Sequence, residues 1–455
     1  MAESQPWKAD TRTLIILAFS ATAGVLVEFY DFFIYGYAAA SAFPSIFFPH
    51  VPPSRALVLS YLAFGAGFPA RLLGAFIFGH FGDRTGRKFS FLLNIAIVGV
   101  ATCLTGLLPG FASWGIAAPL LLILLRIFQG IGLGGEFGGA ASLLAEFGAE
   151  QKSRAFWMSL ANLGIPLGAI AASGAMLALN RTFATTGWRI AMLLSVVIVV
   201  PALIARYKLA DSPLFERLKQ RDQLAAFPSL SVLKEHRRSV ILVALVIAFM
   251  MMDGYVTGTY FISFMRLAGV SFATISIVLM VSRVADVLGL LLSGPLADLC
   301  KRRITTAAAV VFTTLLSYPF VLAILNRRIL LVMILQAVIS FIGIGMLHGL
   351  APILASENFP TKFRYSGTGI SLSLAGILGG MAAPSLLAAL IGQDVFHRWY
   401  FVPVLYALYA VAAIIALYLM RETRDLNLHD LDHAPAPEFR GTPQNALPAS
   451  REVTR

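Results

Sequence analysis

Apolar runs of about twenty residues recur along almost the whole chain, and this recurrence limits the fold more than any other feature. An α-helix rises about 1.5 Å per residue, so roughly twenty apolar residues cross a hydrocarbon core about 30 Å thick. With 58% hydrophobic and only 13% charged residues, the chain has too little polar surface for a soluble protein of this size. The runs predict twelve membrane helices, at residues 13–38, 57–79, 89–108, 116–139, 155–179, 188–206, 239–264, 272–295, 304–324, 329–352, 366–391 and 400–420. The expected class is an all-α membrane protein. Met1 to Arg12 is polar and the first run carries Glu28 and Asp31, with no small-residue cleavage site, so this run reads as a retained helix and not a signal peptide.

Cytoplasmic loops retain Lys and Arg, so their distribution sets the orientation. With a cytoplasmic amino terminus, 25 of the 35 basic residues fall on the inner side and 7 on the outer side, the rest lying inside runs. Both termini are therefore expected in the cytoplasm of a bacterial cell with the chain in its inner membrane. The net charge of +12 follows from these loops and their contact with anionic lipid headgroups, and calls for no nucleic acid. Cys103 and Cys300 provide no framework for a disulfide or a metal site.

The longest inner loop, 207–238, is polar and basic and divides six runs from six. The chain thus divides into an amino-terminal bundle (1–206), a cytoplasmic linker (207–238), a carboxy-terminal bundle (239–420) and a tail (421–455) expected to be mostly disordered. Loop sequences repeat across the halves. GHFGDRTGRK, Gly79 to Lys88, answers GPLADLCKRR, Gly294 to Arg303, and LLAEFGAEQKSR, Leu143 to Arg154, answers ILASENFPTKFR, Ile353 to Arg364. Duplicated halves of this kind form a central site at their interface in many secondary transporters.

The Gly79 to Lys88 string resembles the signature loop of the major facilitator superfamily. VEFYDFFIYG (Val27 to Gly36), FGHFGDRTGRK (Phe78 to Lys88), RIFQGIGLGGEFGGA (Arg126 to Ala140) and FPTKFRYSG (Phe359 to Gly367) resemble one branch, the metabolite:proton symporters. The resemblance implies two six-helix bundles related by a pseudo-two-fold, proton-driven uptake of organic acids or zwitterions, and no cofactor beyond the proton gradient. It also implies an inner-side latch that stabilises one conformation, made of Gly79, Asp83, Arg84, Gly86, Arg87, Lys88, Glu146 and Arg154, with Asp298, Glu357 and Arg364 in the second half. The chain departs from the family pattern in Leu299 and Cys300, which leave the second loop without its second glycine and predict a weaker second latch. It departs again in Asp211, which stands for a Glu before Ser212 and Pro213, and in Asp253, Arg283 and Asp286.

Ionisable groups inside membrane helices are costly unless they face a cavity or a partner, which makes them functional candidates. Arg126, near mid-membrane in the fourth run, carries a fork suited to a carboxylate. It reads either as the substrate anchor or as the ion-pair partner of Glu28 or Asp31. Arg71, Gln129, Tyr30 and Asp253 complete the substrate-binding candidates, with Arg71 alternatively the partner of Glu136 and Asp253 alternatively a group that takes a proton. Glu28 and Asp31, three residues apart on one helix face, and Glu136 are the proton-coupling candidates. Arg283 and Asp286 are placed to neutralise each other. Gly130, Gly134 and Gly138 read as a close-packing stripe, and Gly164, Pro166 and Gly168 as a hinge or close contact. His348 reads as a packed or cavity-lining residue.

The reading that results is a secondary symporter importing a small carboxylate, acting as a monomer. A proton-coupled exporter of drugs or metabolites, or a proline or betaine carrier, is the alternative. No Ser-His-Asp motif or His/Cys cluster of metal spacing supports an enzyme.

Overall fold

The computed structural model describes residues 11–85, 87–134, 154–208 and 228–424. Gly86, Glu136, Glu146 and linker residues 209–227 lie outside the described residues, as does the tail from 425. The side chains of Asp83, Arg84, Arg87, Lys88, Arg154 and Arg364, and the surroundings of Gly79, also lie outside what is described. The first latch is therefore named here only as an expectation.

All regular structure among the described residues is helical. The amino-terminal bundle holds α1 (Thr11–Ser41), α2 (Pro53–Phe78), α3 (Leu93–Leu107), α4 (Ala117–Leu133), α5 (Gly164–Ala178) and α6 (Phe183–Pro201). The carboxy-terminal bundle holds α7 (Arg237–Leu267), α8 (Phe272–Leu299), α9 (Arg302–Leu325), α10 (Ile329–Glu357), α11 (Ser366–Ile391) and α12 (Val395–Leu419). Eight of these are long and apolar enough to cross a membrane, and α3, α4 and α5 are shorter apolar helices. Leu73, Val100, Leu120, Val197, Leu315 and Leu408 stay exposed on the rim, as helices facing acyl chains require.

Small residues let the backbones meet. A Cβ at Gly164 or Gly168 of α5 would strike the backbone of α1 at Thr22, Leu26 or Tyr30. In the first half α2 and α4 touch at Gly74 against Ile131 and Gly130 against Gly67; in the second half α8 and α10 touch at Gly289 against Phe341 and Gly345 against Asp286. The same helix pair in each half is thus closed by glycine, which extends to packing the duplication visible in the loops. The stripe in α4 and the Gly164–Gly168 pair are close-packing surfaces.

The second loop and the helix ends beside it are joined by ion pairs and hydrogen bonds. Arg302 pairs with Glu357 and lies 3.8 Å from Asp298. Thr423 donates to Glu357 at 2.6 Å, and Glu422 accepts from the amides of Arg302 at 3.0 Å and Arg303 at 3.3 Å. The start of the tail is therefore docked, because its carboxylate caps the first turn of α9. The same ion pair holds the last turn of α10, which reaches Glu357 and so passes the expected end at 352 although Pro352 lies within it.

The bundles touch on both sides of the mid-plane. Towards the carboxy-terminal ends of α1 and α7, Tyr61 of α2 lies 3.0 Å from the Ser263 hydroxyl, which donates to the Ala40 carbonyl at 2.9 Å. Towards the opposite side, Asn162 donates to the carbonyl of His348 at 2.8 Å. Between them, Phe68 lies against Gly376 and Gly380 of α11.

Candidate substrate site

Arg126 lies in the middle of the amino-terminal bundle and is only 1% exposed. Pro69 lacks an amide hydrogen and its ring crowds the preceding turn, so α2 breaks at Ala66 between Pro53–Gly65 and Gly67–Thr85. Beside the break, the carbonyl of Phe64 accepts from Arg126 Nε at 2.9 Å. Gly67 lets the arginine stem lie against α2, since a Cβ there would press on it. The guanidinium carbon sits 4.1 Å from the centre of the Phe32 ring, 4.5 Å from Tyr35 and 4.9 Å from Phe64. Aromatic faces attract a cation without neutralising it.

No carboxylate lies within ion-pair distance of Arg126 among the described residues, so the expected pairing with Glu28 or Asp31 is not formed. Arg71 takes Glu28 instead, in a buried ion pair between α2 and α1. Arg71 thus has a partner other than Glu136. Glu28 and Asp31 are both buried, but the turn of α1 aims them at different neighbours: Glu28 at α2 and Asp31 at α3.

Asp31 reaches Arg126 through two side chains. Arg126 Nη1 donates to Gln129 Oε1 at 3.2 Å, Gln129 Nε2 donates to the Thr102 hydroxyl at 2.5 Å, and Thr102 donates to Asp31 Oδ2 at 2.8 Å. Thr102 Oγ1 is also 2.9 Å from the Val98 carbonyl, so its single proton has two acceptors to choose between. At the other end, Arg126 Nη2 has no hydrogen-bond partner, and neither does the buried hydroxyl of Tyr35 beside it. A fixed cation with an uncommitted N–H and a neighbouring hydroxyl is suited to an anionic group.

Two other candidates are placed elsewhere. Tyr30 donates to the carbonyl of Ala191 in α6 at 2.7 Å, so its hydroxyl is committed inside its own bundle. Asp253 lies in the carboxy-terminal bundle and accepts from Tyr406 at 2.8 Å. Arg283 and Asp286 pair at 3.3 Å as expected, and the Arg283 guanidinium faces Phe33 of α1 at 5.0 Å. The opposite bundle closes the Arg126 site with Tyr255 of α7, whose ring is 5.7 Å from Phe64 and 5.3 Å from Phe68. Sequence reasoning passed over Thr102, Tyr35, Phe32 and Tyr255. The only signal for them was polarity or aromaticity within runs that already carried a charge. Among the described residues, no cluster of His, Cys, Asp and Glu could hold a metal ion.

The Major Facilitator Superfamily model matches residues 25–384. The chain is 35% identical over 435 residues to the inner membrane metabolite transport protein YhjE of Escherichia coli, covering 92% of this chain and 96% of that protein. It is 33% identical over 396 residues to the shikimate transporter of the same organism, covering 82% and 87%. The alpha-ketoglutarate permease of Escherichia coli is 28% identical, covering 94% and 98%. A crystal structure of a D-xylose-proton symporter superposes with a TM-score of 0.69 at 17% identity, covering 90% of this chain and 98% of that one, and bears on the fold. The chain belongs to the major facilitator superfamily: it is a multi-pass membrane transporter with the twelve-helix, two-bundle fold, and not an enzyme.

Proposed function

We propose that the chain imports a small carboxylate across the inner membrane together with protons, with both termini cytoplasmic and Arg126 as the anchor for the carboxylate. The observation that carries this reading is the uncommitted Nη2 of a buried Arg126 that no carboxylate among the described residues neutralises. Relatives named for shikimate and alpha-ketoglutarate, both carboxylates, support it. Relatives named for proline, betaine and ectoine fit the same anchor, since each of those zwitterions has one carboxylate.

Coupling runs through Asp31 in this reading. With Asp31 ionised, Thr102 gives its proton to the carboxylate and presents a lone pair to Gln129, which holds Arg126 at Nη1. With Asp31 protonated, the hydroxyl turns to the Val98 carbonyl, and the hold of Asp31 on the relay weakens. Arg126 is then less compensated and binds an anion better, so proton and substrate favour each other's binding. Glu28, committed to Arg71, keeps the bundle together.

Thermal-shift screening of the purified protein against carboxylic acids, beginning with shikimate and 2-oxoglutarate, tests the anchor. An acid that stabilises the wild type and not Arg126→Ala is the expected result. Equal stabilisation of both proteins by every acid that binds would remove Arg126 from the site.

A further inference from the structure

We propose that Asp253 is a second proton-binding site, reached by a polar track inside the carboxy-terminal bundle that is separate from the Arg126 site. The proposal builds on the reading that proton movement drives this transporter. Asp253 lies on α7 at mid-membrane and is fully buried. One carboxylate oxygen accepts from Tyr406 of α12 at 2.8 Å, and the other, Oδ2, has no hydrogen-bond partner. Among the described residues no cation lies within ion-pair distance, because Arg283 is taken by Asp286. A buried carboxylate with one hydroxyl donor and no counter-ion is costly as an anion, and a proton on Oδ2 removes the cost.

The surroundings of Oδ2 form a path. Gly343 of α10 has no side chain, and a Cβ there would collide with Asp253 Oδ2 and lie 2.8 Å from the Thr313 hydroxyl of α9. That hydroxyl is buried and has no partner. Gln336 and Ser340 are buried like Gly343, whereas Leu335, Ala337, Val338, Phe341 and Ile342 are only partly buried, so the three lie on the buried side of α10. The Ser340 hydroxyl and both amide atoms of Gln336 are likewise buried without partners. Four buried polar side chains with orphaned atoms, on α7, α9 and α10, are what a chain of water molecules completes. Gln336 lies seven residues, roughly 10 Å, from the start of α10, on the side that the loop charges assign to the outside.

The helices are modified where the track ends. α7 is π-helical at Val256–Tyr260, just past Asp253, and α10 is π-helical at Ser340–Met346 around Gly343. Such turns widen a helix and recur at functional sites. The ionisable groups contributed by helices packed on Asp253 are Tyr406 of α12, the Arg283–Asp286 pair of α8 and His348 of α10. α9 contributes Thr313, and α11 contributes Gly379 against the backbone of α7. Protonation of Asp253 leaves a neutral carboxyl beside a neutralised pair, whereas its ionisation places an uncompensated charge between two π-turns.

Infrared difference spectra of the purified protein in lipid nanodiscs test the proposal without any transported substrate. The wild type is expected to show a carboxylic acid C=O band that is missing in Asp253→Asn and displaced in Asp253→Glu. In Gln336→Leu and Thr313→Val the band should keep its position, but its shift on transfer to D2O should slow by about tenfold, as one added barrier on the path requires. A band unchanged in Asp253→Asn overturns the site, and Asp253→Glu decides the same point if Asp253→Asn does not fold. Unaltered exchange in both track variants overturns the route. Thermal stabilisation by Na⁺ that disappears in Asp253→Glu, with no carboxylic acid band in the wild type, would assign these oxygens to sodium and also overturn the proposal. Failure of carboxylate uptake, in contrast, would leave the infrared result untouched and count only against the proposed substrate.

Discussion

Arg126 and Asp31 have no direct contact, and their separation distinguishes coupling from a static ion pair. Arg126→Lys keeps the charge but loses the fork and the Nε bond to Phe64. A charge-assisted hydrogen bond contributes about 1.5–3 kcal/mol, so apparent affinity for the transported acid should fall about 10- to 150-fold, read from concentration-dependent uptake. Asp31→Asn should fold normally and still exchange labelled substrate across the membrane, while losing accumulation against a gradient. Glu28→Gln should behave differently, since it leaves Arg71 buried without its counter-charge. Removing one partner of such a pair costs about 3–5 kcal/mol, so melting temperature and yield should drop before any transport property is measured. The candidates themselves were legible as charges within apolar runs. Their pairing was not, because Glu28 and Asp31 lie three residues apart and only the rotation of α1 against α2 and α3 decides which neighbour each one meets. Thr102 was invisible for a related reason: a buried hydroxyl that bonds its own helix looks no different from one in a relay.

At the scale of elements, glycine positions divide into those that let helices approach and those that face open space. In α5, a Cβ at Gly168 would meet the backbone of Leu26 and Tyr30, whereas at Gly174 it would meet nothing within 4 Å. Gly168→Ala should therefore destabilise the protein by about 1–3 kcal/mol, as overpacking does, while Gly174→Ala should be neutral or slightly stabilising. Comparative thermal unfolding in detergent reads the difference. Helix existence was evident from the apolar runs, and the close-packing role of the α4 stripe from its four-residue spacing. The π-turns of α7, α10 and α11 were not evident, because the apolar periodicity across them is no different from that of the flanking α-helix. The contacts of Glu422 and Thr423 with the second loop and the end of α10 were not evident for a similar reason, because these two residues arrive from the far end of the chain.

Among the described residues, the hydrogen bonds that join the two bundles each belong to one side. Tyr61→Phe removes the hydroxyl that bridges to Ser263, and Asn162→Ala removes the bond to the His348 carbonyl. A hydrogen bond contributes about 0.5–1.5 kcal/mol, so each change should shift the balance of opening by about 2- to 12-fold. The shift should run towards opening at the Tyr61 end in the first variant and at the Asn162 end in the second, read by spin-label distances across each end. The duplicated loops made the two-bundle plan readable from the sequence. The contacts of Tyr61 with Ser263 and of Asn162 with His348 were not, since they depend on how the two bundles meet and a single sequence must support every state of the cycle.

Proton-driven import of a carboxylate through Arg126 and Asp31 can be measured as accumulation of labelled mono- and dicarboxylates by proteoliposomes under an imposed inward proton gradient, with internal pH recorded at the same time. At least one acid should accumulate with simultaneous acidification of the interior, both being lost in Arg126→Ala, and Asp31→Asn should exchange without accumulation. Gradient-driven extrusion of the acid, or undiminished accumulation in Arg126→Ala, would contradict import of this kind.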